Sequence, residues 1–112
     1  MPELPENDHE AYVEAVLTIV ESIPEGRVMA YGAIAGLVGR GGARQVGRVM
    51  ATYGGPVPWW RVVRVDGTLP ESHRHDARER YLAEGTPLRG GPEGPLSGDL
   101  RIDMARAAWE PS

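Results

Sequence analysis

The sequence predicts a small, mainly helical domain with a minor β component, organised around a helix-turn-helix. Three observations carry this. Residues 8–22 are amphipathic at helical spacing, 31–52 hold two short apolar segments separated by glycines, and 61–65 form a β-branched run closed by Asp66-Gly67. At 112 residues the chain is expected to be one domain spanning 1–112, with one modest core.

The first helix is expected over 8–22. Asn7 and Glu10 have capping-box spacing, and Tyr12, Val13, Val16, Leu17, Ile19, Val20 and Ile23 make a broad apolar face. Pro24 and Gly26 end it in a turn, and residues 1–7 ahead of it are expected to be flexible. Residues 31–38 (YGAIAGLV) predict a short helix, Gly39 to Gly42 a turn, and 43–52 a second helix with Val46, Val49 and Met50 inward. Two short helices across a tight glycine turn form the helix-turn-helix pattern, with Arg44, Gln45 and Arg48 near the start of the second. RVVRV should be extended before the Asp66-Gly67 turn. A polar loop at 70–76 precedes a helix at 76–84 with Ala77, Tyr81 and Leu82 inward and Gly85 as its stop. Residues 86–98 read as a Gly/Pro-rich loop, and Leu100, Ile102 and Met104 alternate as a short strand would.

Composition narrows the function. No apolar run approaches the ~20 residues that span a bilayer, and the acidic start MPELPENDHE lacks the apolar stretch of a signal peptide. A cytoplasmic protein without membrane partners is expected. The chain has no cysteine, which excludes disulfides, thiolate metal sites and a cysteine nucleophile. Its net charge of -4 argues against nucleic acid until the distribution is considered. Between Arg27 and Val65 lie six arginines (27, 40, 44, 48, 61 and 64) and no acid. Lysine is absent, so every fixed cation is a planar guanidinium able to fork onto phosphate or stack on a base. A GC-rich genome would account for the missing lysine but not for an acid-free central segment, which reads as a phosphate-facing surface.

No catalytic constellation emerges. The histidines are His9, His73 and His75, and the last two flank Arg74 in a loop without a third metal ligand in view. The carboxylates lack an apolar setting that would tune an acid or base, and the serines lack a nucleophile-elbow context. No metal or cofactor is expected.

Three motifs in order, IPEGRVMAYGAIAGLVG, ARQVGRVM and PWWRVVRVDGTL, resemble the C-terminal DNA-binding domain of the O6-alkylguanine-DNA alkyltransferases, over about residues 10–85. The ending AWEP is similar to that of the alkyltransferase-like branch. The resemblance implies a winged-helix-like helix-turn-helix domain. In the alkyltransferases a nucleophilic Cys and then a His follow the proline; here those positions hold Trp59 and Trp60, which cannot accept or relay an alkyl group. The resemblance therefore implies a protein that is not an enzyme.

It also implies roles for particular residues. Arg44 matches the arginine finger that fills the space a flipped base leaves, and Tyr31 the tyrosine that turns the target nucleotide. Met50 matches a pocket-lining position, and the backbone around Trp59 and Val62 would offer carbonyls to the guanine amino group. Trp59 would add apolar surface beside the O6 substituent, and Trp60 would be buried support. Arg74 is the local candidate for an arginine that probes the modified base. Gln45, Arg48, Arg40 and Arg61 complete the expected DNA contacts, Arg61 being structural or phosphate-paired. The implied function is recognition of O6-alkylguanine in duplex DNA from the minor groove, with base flipping at a cost on the order of a few kcal/mol. A monomer would then flag the lesion to damage-sensing proteins of nucleotide excision repair. The rival is a winged-helix regulator, indifferent to alkylation, reading sequence in the major groove through Gln45 and Arg48.

Overall fold

The computed structural model describes residues 5–69, 73–89 and 101–111. Helix α1 (Pro5–Ser22) begins earlier than the sequence predicts. Proline's fixed φ suits a first helical turn, where its missing N–H leaves no bond unmade. Asn7 therefore lies inside the helix rather than capping it, and residues 5–7 are helical, while 1–4 fall outside the described residues. Val16, Val20 and Ile23 bury the inner face of α1 against α2 (Tyr31–Val38) and α3 (Ala43–Tyr53).

The helix-turn-helix has the predicted limits to within a residue. Gly39 ends α2 in the left-handed region (φ 88°), its N–H donating to Ala35 O, and Gly42 precedes α3 with its N–H donating to Gln45 Oε1 at 2.9 Å. Ile34 and Ala35 of α2 pack with Val46 and Val49 of α3, and Met50 lies half-buried at their edge.

Only two residues of RVVRV form a strand. β2 (Val62–Val63) pairs in parallel with β1 (Met29–Ala30), in the register Met29↔Val62 and Ala30↔Val63. The C-terminal segment lies beside this pair. Val28 N–H donates to Ala107 O, Trp109 N–H donates to Val28 O, and Arg27 donates to the carbonyls of Ala107 and Ala108. The predicted turn then forms at 64–68, where Asp66 Oδ1 accepts the N–H and hydroxyl of Thr68. Gly67 sits there at φ 85°, and a Cβ on it would stand 2.5 Å from Ile102 O. Gly67→Ala is expected to destabilise by about 2 kcal/mol or more, through left-handed strain plus the clash, read as a lowered urea midpoint at unchanged slope.

A second apolar cluster contains Val28, Val63, Leu69, Ala77, Tyr81, Leu88 and Ile102. Its helix, α4 (Arg74–Glu84), is longer than predicted. Ala77 and Tyr81 are fully buried, but Leu82 is 44% exposed, because a residue next to Tyr81 points some 100° away around the helix. Gly85 ends α4 at φ 72° as expected. The expected strand near 100–104 reduces to one antiparallel bridge, Leu88↔Ile102. Asp103 O accepts the Ala107 N–H and starts α5 (Met104–Ala107), drawing Met104 into a helical turn. Leu100 and residues 90–98 of the predicted loop lie outside the described residues. Among the described residues no helix is long and apolar enough to cross a membrane.

Candidate nucleic-acid interface

Where the two apolar clusters meet, the surface opens into a cavity of about 400 Å3. Tyr31, at the start of α2, and Met50 and Ala51 of α3 form one side. The chain then turns at Gly54, where a Cβ would approach Met50 O to 2.5 Å, and runs through buried Val57 to Trp59 on the next side. Leu69, His73 and Asp76 close the third. Tyr31, Met50 and Trp59, assigned to one pocket by resemblance, thus share one cavity. The Tyr31 hydroxyl has its pKa raised by burial, partly opposed by Arg64, and so stays protonated as both donor and acceptor.

The turn that carries Trp59 is held from behind by α4. Trp59–Arg61 form one 3-10 turn. Tyr81 Oη donates to Trp60 O at 2.5 Å, and Trp60 Nε1 donates to Glu84 at 2.9 Å. Arg61 donates to both oxygens of Glu84 (3.1 and 2.6 Å) and to Ile23 O at 2.9 Å, while Gly26 N–H donates to Glu84 at 3.2 Å. Burial alone would push the Glu84 carboxyl up; donation from Arg61, Gly26 and Trp60 outweighs it and holds the group below the usual carboxylate range. Burial likewise raises the Tyr81 phenol, with Tyr31 and Glu84 adding to it.

This network bears on two expectations. Of the two roles open to Arg61, structural or phosphate-paired, it supplies a structural one: the guanidinium is engaged by Glu84 and Ile23, with 12% of the side chain exposed. The Val62 side chain is wholly buried in the core, and its N–H donates to Trp59 O, so one of the backbone carbonyls expected to face a guanine already accepts a hydrogen bond. Trp60, expected to be buried support, is half-buried, with the Arg80 guanidinium 4.5 Å from its ring centre.

The same helix α3 that lines the cavity through Met50 and Ala51 carries Arg44 and Arg48, both exposed and engaged in no hydrogen bond or ion pair among the described residues. Gln45, expected to touch DNA, has its carbonyl oxygen committed to capping α3. Arg48 borders a groove of about 360 Å3 with His9, Tyr12 and Tyr53. Arg40 donates to Asp8 O at 3.2 Å and lies 5.5 Å from the Tyr12 ring centre, tied to α1. Arg74 begins α4 next to the cavity-lining His73, but its side chain lies outside the described residues. His73 and Asp76, in the predicted polar loop at 70–76, also line the cavity; their nearness to Trp59 comes from a contact between distant segments that the sequence does not show. Among the described residues no group of three His, Cys, Asp or Glu could hold a metal ion.

A helix-turn-helix with exposed arginines on its second helix, which also lines an aromatic cavity, belongs to a defined class. The family of the 6-O-methylguanine DNA methyltransferase DNA-binding domain matches residues 11–85, and the chain is a member of it. Within that class it is alkyltransferase-like. It is 37% identical over 107 residues to the DNA base-flipping protein of Escherichia coli strain K12, covering 89% of this chain and 75% of the relative. The DNA base-flipping protein of Vibrio parahaemolyticus is 26% identical over 103 residues, covering 89% of this chain and 97% of the relative. S. pombe Atl1 in complex with damaged DNA containing O6-carboxymethylguanine superposes with a TM-score of 0.76 at 28% identity, over 91% of this chain and 97% of Atl1.

Proposed function

We propose that this protein recognises O6-alkylguanine in duplex DNA without transforming it. The observation that carries the reading is the cavity shared by Tyr31, Met50 and Trp59, one side of which is α3, the helix that also carries the exposed guanidiniums of Arg44 and Arg48. Arg48 neutralises phosphate, and the helix-turn-helix docks in the minor groove. Arg44 enters the stack as the modified base leaves it, and the base lodges against Trp59 with its alkyl group on the indole. Alkyl transfer needs a nucleophile that ends bonded to the alkyl carbon; the sequence holds no cysteine, and Trp59 follows Pro58 where the resemblance expects that nucleophile. Recognition of this kind serves repair by persistence: the complex marks the lesion for damage-sensing proteins of nucleotide excision repair. The protein acts as a cytoplasmic monomer without a cofactor.

Binding of a short duplex with one O6-methylguanine, against the same duplex with guanine, tests this at fixed salt. The modified duplex should bind about tenfold or more tightly, as a lost base pair lowers the extraction cost and a buried methyl adds contact. It should also change tryptophan emission. Equal binding with unchanged emission would reject the reading and favour a sequence-reading regulator.

A further inference from the structure

The parallel ladder sets two side chains next to each other at the cavity. Tyr31 and Arg64 follow the paired positions Ala30↔Val63, so they leave β1 and β2 side by side. Tyr31 lines the cavity. Arg64 is exposed, and its Nη1 donates to the carbonyl of Leu69, a second lining residue, at 3.4 Å. Its charge also acts on the Tyr31 hydroxyl, opposing the rise that burial gives that group. The guanidinium thus stands at the rim, beside two of the residues that line the cavity. Its engagement there is slight. The 3.4 Å bond exceeds the usual length of about 2.7–3.2 Å, and among the described residues nothing else bonds the side chain. Asp66 shares the turn, but its Oδ1 accepts the Thr68 N–H and hydroxyl and it forms no ion pair with Arg64. The backbone of Arg64 is fixed by comparison, its N–H donating to Thr68 O at 2.9 Å and its carbonyl accepting the Gly67 N–H at 2.8 Å. Arg61, three residues earlier, has its guanidinium held by Glu84 and Ile23; Arg64 has a charge to offer.

We propose that Arg64 binds a phosphodiester flanking the flipped nucleotide, a role that rests on the lesion-binding reading above. A base turned into the cavity stays joined to its strand on both sides, so its sugar and two phosphates lie at the mouth. A guanidinium can fork onto two oxygens of one phosphate, exchanging a long bond to a carbonyl for shorter, charge-assisted ones. While the nucleotide remains stacked, the same phosphates follow the duplex and stay away from that mouth. The contact therefore favours the extruded state over the stacked one. It adds to affinity for the lesion more than to affinity for guanine, unlike Arg48, whose phosphate contact serves either duplex.

The test is binding of O6-methylguanine duplexes in which the phosphate on one or the other side of the lesion is replaced by a neutral methylphosphonate. The wild type should lose about tenfold in affinity at one of the two positions, the scale of a hydrogen bond to a charged group. Arg64→Gln should bind the lesion duplex with natural phosphates about tenfold less tightly and the guanine duplex nearly as the wild type does. It should lose little more when the methylphosphonate is introduced. Arg64→Lys, which keeps the charge, should retain part of the sensitivity, and Arg48→Ala all of it, with melting temperatures confirming that each variant is folded. A wild type that prefers the lesion yet is insensitive at both positions would overturn the role of Arg64 alone, as would an Arg64→Gln that keeps the full sensitivity. Wild-type binding that does not distinguish O6-methylguanine from guanine would remove the lesion-binding reading and this role with it.

Discussion

Arg44→Ala is expected to weaken binding to an O6-methylguanine duplex by about tenfold to a hundredfold, since stacking of one planar group on a base contributes ~1–3 kcal/mol. The side chain is exposed on the first turn of α3 and no hydrogen bond or ion pair holds it among the described residues. Its loss should therefore leave the melting temperature unchanged. Arg44→Lys should recover little, because an ammonium keeps the charge but lacks a plane to lie between bases. Arg48→Ala provides the contrast. A phosphate contact should weaken lesion and control duplexes alike and lower the salt dependence by about one counterion. If Arg44→Ala also weakened both duplexes equally, it would be a phosphate contact and the vacated stack would have another occupant.

Glu84→Ala should destabilise the fold by about 3 kcal/mol, because it leaves the guanidinium of Arg61 nearly buried without its acceptor. In a domain of this size that corresponds to a fall of roughly 10 °C in melting temperature. The pair is 2.6 Å apart with 12% and 10% of the two side chains exposed, and Trp60 and Gly26 lose their acceptor in the same step. Glu84→Gln should cost less, as the amide oxygen still accepts one donor. Acid should reproduce part of the effect. A carboxyl depressed on folding stabilises fully above its unfolded value of 4.5, and that contribution falls away as pH drops through the lower folded value. Urea midpoints between pH 7 and pH 3 should decline in the wild type, with a smaller decline in Glu84→Gln. Identical pH profiles would show that other carboxylates govern the acid response.

What could be read in the sequence was whatever depends on near neighbours. Glycines at 39 and 42 and the apolar spacing of 31–50 are local signals, and they mark the helix pair to within a residue. The start of α1 is ambiguous in the sequence, because Asn7 and Glu10 have the spacing of a cap while Pro5 can begin a helix just as well. Two-residue strands are too short to show alternation, so β1 was not visible at all. Arg61 counted as one more cation in an acid-free stretch; its acceptor lies 23 residues away on α4, and nothing in the charge pattern links them. His73 was hidden for the same reason, as its neighbour Trp59 is reached only through the fold. The motif identified Tyr31, Met50 and Trp59 as pocket candidates, but the rings and carboxylate behind and beside them belong to tertiary structure.

The short parallel ladder has a consequence for how this pocket would meet a base. Tyr31 follows β1 directly, and the turn holding Trp59 runs directly into β2, so the two jaws of the cavity are attached to the same pair of hydrogen-bonded strands. Their separation works like a locked calliper. The disorder lost in bringing those jaws to a set gap was given up when the chain folded, not when a ligand arrives, and affinity is not discounted for it a second time. Free and occupied forms should then share one jaw geometry, leaving deformation of the duplex as the main conformational cost of the encounter.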